Sequence, residues 1–192
     1  MPSNAVNIEH FDRIANDPKS WEMRAQDLLT SVEVLRGAAN TGFRAAYPED
    51  GTFNMEGARD ALKYTGLLIQ AAMLQGFAIE CLLKRFWILA GNQVSDEGCY
   101  KIETIKRENH DLAQIADAVG FAITDNERDS LIKLSWFARS LGRYPISKKW
   151  QDLPLRKQFN GVGGQIAWDD ENQQQADALT SRLRSSNPIQ NE

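Results

Sequence analysis

The feature that most constrains this chain is the stretch from Arg59 to Ala90, RDALKYTGLLIQAAMLQGFAIECLLKRFWILA. In it Tyr64, Leu67, Leu68, Ala71, Leu74, Ala78, Cys81, Leu82 and Leu89 recur at steps of three and four. That is the period of one face of an α-helix. Lys63, Gln70, Glu80, Lys84 and Arg85 project onto the opposite arc, so the spacing predicts one long amphipathic helix that must bury its apolar face against other helices. Charge recurs inside the stretch, and no uninterrupted apolar run nears the roughly 18 residues that a bilayer core demands, which disfavours a membrane span.

At 192 residues, with 42% hydrophobic and 25% charged residues, the chain has the size and composition of a single domain, 1–192, with one core. The start, MPSNAVNIEHFDRIAND, has neither the basic opening nor the apolar run of a signal peptide, so a cytoplasmic location is expected. Cys81 and Cys99 stand outside any CxxC or Cys/His cluster, and His10 and His110 are the only histidines. Reduced thiols, no metal and no cofactor are the expectation.

Taken in order, Ile8, Phe11 and Ile14 suggest one or two helical turns. Trp21, Ala25, Leu28, Val32, Leu35 and Ala39 then alternate at four and three, predicting a helix over about 20–39, with Pro18 just before it and Gly37 near its end. Fewer than three heptads are present, which favours packing within a bundle over a coiled coil. Residues 40–57 gather Gly, Pro, Asn and Asp without a period and read as a loop. After the core helix, over about 59–90, Gly91 and Asn92 suit a left-handed cap, and 92–107 reads as irregular.

Asn109 is the expected cap of a short helix over 110–119, closed by Gly120. Thr124 and Glu127 match a capping box ahead of Leu131, Leu134, Ala138 and Leu141, predicting a helix over 125–141. Pro145 blocks its continuation, because the ring lacks a donor and restricts Tyr144. A long loop rich in Gly, Pro and basic residues follows, and Asp169 would cap a last helix over 170–184. The fold class expected is all-α, an up-and-down bundle of four to five helices with its core over about 20–145, followed by a C-terminal loop and helix over 146–185. Phe86, Trp87 and Ile88 widen the apolar arc at the end of the core helix, which would call for a second copy and hence a homodimer.

Between Arg139 and Lys157 six basic residues (Arg139, Arg143, Lys148, Lys149, Arg156 and Lys157) face one acid, Asp152, with Tyr144 and Trp150 among them. Cations interleaved with aromatics are what phosphate pairing and base stacking use, and equally what a solvated loop contains. His110, at a helix start, has the titration range of a general acid or base, although a lone histidine more often caps or packs. Glu80 and Lys84 have the favoured order for an i, i+4 ion pair, worth about 0.2–0.5 kcal/mol when exposed, and read as structural. GVGG at 161–164 follows no strand and precedes no GK[ST], so it reads as a turn.

The ordered set of Glu80-x-x-x-Lys84 on a long helix, His110-Asp111-Leu112, and a Leu131/Leu134 helix ending in Arg143-Tyr144-Pro145 resembles the HEPN domain family, over about residues 20–145. The resemblance implies a dimeric helical bundle. It also implies a role among metal-independent ribonucleases of toxin–antitoxin and antiviral defence systems, or among non-catalytic forms that bind RNA or nucleotides or pair with a nucleotidyltransferase-like antitoxin. Glu80, Lys84, His110, Arg143, Tyr144 and Pro145 stand at family-like positions. The family's Arg-x4-6-His pair is missing: at that spacing Arg143 is followed by Lys148, Lys149 and Trp150. The expectation is therefore a nucleic-acid or nucleotide-binding module that uses Arg139, Arg143, Tyr144, Lys148 and Lys149 without catalysis. The alternatives are a ribonuclease built on His110 and Arg143, and a protein-interaction module.

Overall fold

The computed structural model describes residues 4–46, 55–101, 110–141 and 170–187. These segments form α1 (Asn4–Ala15), α2 (Pro18–Ala46), α3 (Met55–Leu89), α4 (Leu112–Ala118), α5 (Asp125–Trp136), which runs on into a π-helical turn at Phe137–Leu141, and α6 (Asp170–Ser185). The described residues are thus all-α apart from one small hairpin, β1 (Ser95–Asp96) and β2 (Cys99–Tyr100), paired antiparallel with Ser95 opposite Tyr100. Its turn residues, Glu97 at φ 51° and Gly98 at φ 73°, both take the left-handed conformation that a two-residue hairpin requires. The reading of 92–107 as irregular is corrected to this extent, since two residues per strand are too few for alternation to show.

Helices α2 and α3 pack antiparallel along their lengths. Arg85 reaches Glu22 at 3.3 Å near one end, and the Phe43 and Tyr64 rings lie 6.1 Å apart near the other. The expected loop over 40–57 is too long: α2 continues through residue 46 and α3 starts at residue 55. Gly37, expected near the end of this helix, lies well inside α2. Gly42 lies against the Tyr64 ring, which a Cβ would overlap, so what reads as a loop glycine is a contact glycine between helices. At the N-terminus α1 is a full three-turn helix, longer than its apolar spacing suggests.

Helix α3 is the centre of the molecule, contacting α2, α4, α5, the π turn and α6. From Ala78 to Lys84 every residue is buried, so its expected polar arc does not face water there. Over Lys63–Leu89 it is long enough, and in an 18-residue window apolar enough, to cross a membrane. Yet 56% of that window is already buried inside the fold, as suits a core helix. Its end is a Schellman turn: Gly91 N–H donates to Ile88 O at 2.9 Å and Asn92 N–H to Trp87 O at 3.3 Å, with Gly91 at φ 84°. Phe86 packs edge-on to Phe121 at 5.1 Å, and Trp87 and Ile88 pack against the core of the same chain. All three are half-buried within the chain itself.

Helix α1 is tied down through the residue that follows it. The Asn16 amide oxygen accepts from Val94 and Ser95 N–H at 2.8 and 3.2 Å, and its nitrogen donates to Ser95 O at 2.9 Å. The Asp12 carboxylate accepts from Gly98 N–H in the hairpin turn. At the other end of the chain α6 seats Ala176, Leu179 and Leu183 in the core, and Arg182 grips Glu127 at 2.7 Å. The Thr124–Glu127 capping box is present as read.

Candidate functional site

Glu80 and Lys84 lie one turn apart on α3, in its fully buried segment, at 5% and 6% exposure. Lys84 Nζ donates to Glu80 Oε1 at 2.7 Å, so the expected exposed pair is a buried one. A buried pair needs its remaining valences filled, because desolvation otherwise outweighs the attraction. His110 fills one: its Nδ1 lies 2.6 Å from Glu80 Oε2. The Lys84 ammonium sits over the Trp21 ring at 4.5 Å and the Tyr100 ring at 5.5 Å, gaining two cation–π contacts from α2 and β2.

Local structure delivers His110 to this place. Its backbone is left-handed, φ 72°, an unusual state for a residue with a Cβ. Asp111, not Asn109, caps α4, its carboxylate accepting from Gln114 N–H at 3.1 Å; Asn109 lies outside the described residues. The first amide of α4, on Leu112, donates to Ser135 Oγ at 2.8 Å, and that hydroxyl donates to Leu131 O at 2.6 Å. The start of α4 is thus pinned to α5. Phe77 meets the imidazole edge-on at 5.1 Å.

One turn beyond Ser135 the helix widens into the π turn, which carries Arg139. Its Nε donates to Ser135 O at 3.3 Å, and its Nη1 lies 3.9 Å from Asp111 Oδ2. Arg139, a predicted phosphate ligand, therefore stands beside the residue next to His110, at a half-buried position. Widened turns of this kind are frequent at functional sites.

Burial alone would push the Glu80 carboxyl up, but the hydrogen bond from His110 and the charge and hydrogen bond of Lys84 outweigh it and hold the group down at about 2. It is ionised in the working range. Burial pushes the neighbouring Cys81 thiol up to about 11, which removes it as a nucleophile.

Of the residues singled out in the sequence, Glu80, Lys84, His110 and Arg139 come together here. Arg143, Tyr144, Pro145, Lys148 and Lys149 lie outside the described residues, as do Trp150, Arg156, Lys157, Asp169 and GVGG. Trp21, Tyr100, Asp111 and Ser135 belong to the cluster and carry no sequence signal for it, save that Asp111 directly follows His110. Among the described residues no group of three or more His, Cys, Asp or Glu side chains could hold a metal ion. Comparison with protein-family models, curated proteins and solved structures finds no match.

Proposed function

We propose that the chain is a HEPN-like helical module that binds RNA or a nucleotide through its phosphates, with the Glu80–His110–Lys84 cluster as the anchored centre of the site. The observation that carries this reading is the placement of Arg139 beside Asp111 and hence beside His110. The basic segment that begins at Arg139 starts at the rim of a rigid polar centre, where cations can meet phosphate and an imidazole can meet the sugar or base.

The test is labelled single-stranded RNA incubated with the pure protein, scored for retention and for cleavage at several salt concentrations. Wild type, Arg139→Ala, Arg143→Ala and His110→Ala are compared. Retention that falls steeply with salt is expected, with each arginine variant lowering the salt slope by about one phosphate contact. Salt-independent retention, or none, counts against the reading and leaves a protein-interaction module.

One observation favours a second reading, a metal-independent ribonuclease. A histidine held by a buried carboxylate at 2.6 Å is the arrangement that orients a general acid–base. In that case His110 moves the 2′-hydroxyl proton while an arginine stabilises the phosphate charge. Cleavage abolished by His110→Ala with retention intact would select it.

A further inference from the structure

The cluster fixes more than the position of the imidazole. We propose that Glu80 and Lys84 are positioning residues that hold the His110 ring with a proton on Nδ1 in both of its charge states, making Nε2 the nitrogen through which the ring gains and loses its proton. This deepens the reading above, on which it relies only for what the ring meets; the ring state itself is independent of any ligand.

The argument rests on donors and acceptors. Each oxygen of Glu80 faces a different partner: Oε1 takes Lys84 Nζ at 2.7 Å and Oε2 faces His110 Nδ1 at 2.6 Å. A carboxylate with an ammonium on one oxygen is ionised and can only accept, so a contact this short requires the hydrogen to sit on Nδ1. Lys84 cannot swing away to release Glu80, because the Trp21 and Tyr100 rings flank its ammonium from α2 and β2 and its side chain is 8% exposed. Phe77 packs edge-on against the ring at 5.1 Å, and the Asp111 cap and the Leu112–Ser135 bond fix the backbone that follows it. Among the described residues, Asp111 and Arg139, the charged neighbours on α4's cap and the π turn, face one another at 3.9 Å.

The only other histidine supplies an opposite reference within the same molecule. His10 Nδ1 lies 3.0 Å from Arg13 Nη2, and a guanidinium can only donate, so that Nδ1 accepts and the neutral ring carries its proton on Nε2.

Nitrogen-15 NMR of the imidazoles reads these states directly, with His10→Asn to assign the two signals. At the high-pH plateau the wild type is expected to show His110 as the Nδ1–H tautomer and His10 as the Nε2–H tautomer. In Glu80→Ala, checked by circular dichroism for retained helix, His110 is expected to shift to the Nε2–H form that histidine favours in water. Wild-type His110 with its proton on Nε2 overturns the proposal, as does a folded Glu80→Ala whose His110 signals do not move. Should Glu80→Ala fail to fold, the wild-type spectrum alone decides, because His10 calibrates it. An Nδ1–H ring in a protein that neither retains nor cleaves RNA upholds the positioning and sinks the functional reading, so the two fail separately.

Discussion

Glu80 shows how far burial changes the weight of one residue. As an exposed i, i+4 partner of Lys84 it would be worth a few tenths of a kcal/mol. Enclosed between Lys84 and His110, its removal strands a buried ammonium, and Glu80→Ala is expected to cost about 3–5 kcal/mol in urea unfolding. The same carboxyl makes stability depend on pH. Its value is about 2 in the folded chain against 4.5 for an ordinary glutamate. The folded form binds the proton more weakly, so the contribution, about 3 kcal/mol, is whole above roughly pH 4.5 and is lost as the pH falls towards 2. Urea titrations at pH 6 and pH 3 should show Glu80→Gln losing less stability than the wild type over that interval; equal losses would refute this source. The pair Glu80–Lys84 was legible in the sequence because a helix puts i and i+4 side by side. Its link to His110 was not, since nothing in a periodic pattern says which turn of α3 the start of α4 will meet.

At the scale of elements, the long helices declared themselves through three- and four-residue spacing, and the Thr124–Glu127 box and Gly91 marked ends that the structure keeps. The end of α2 beyond residue 39 has its cause in packing. Glycine and asparagine at 40–42 read as loop formers, whereas packing of Gly42 on Tyr64 of α3 keeps the backbone helical there and overrides propensity. Glycines within helices therefore divide by what surrounds them. Around Gly66 nothing lies within 4 Å of a Cβ, so Gly66→Ala is expected to stabilise by about 0.5–1 kcal/mol. A Cβ on Gly76 would stand 3.3 Å from the Leu134 backbone carbonyl, where α3 crosses α5, and Gly76→Ala should forfeit that gain or reverse it. Thermal melts of the two variants side by side test the distinction; equal stabilisation would show that the α3–α5 approach is not tight.

For the whole molecule, the C-terminal helix is a structural member rather than an appendage. Leu179 and Leu183 are fully buried, and α6 also clasps the bundle through Arg182–Glu127, Lys133–Asn172 and the Arg36–Gln75–Asp177 network. Leu183→Ala should cost about 2–5 kcal/mol, a large share of the 5–15 kcal/mol typical of a domain, whereas Val6→Ser, at an exposed site, should stay within about 0.5 kcal/mol. Urea midpoints measure both, and a small loss at Leu183 would mean that α6 adds little to the core. At the opposite end, the Asn16 bridge gives α1 a clock. The Val94 and Ser95 amides are bonded to an Asn16 oxygen and not to a strand, so in deuterium exchange they open only when α1 lets go. They should exchange together, at a common rate that reports how often the N-terminal helix lifts off. Meanwhile the Lys101 amide, bonded to Val94 O at 2.8 Å, reports the opening of the hairpin itself.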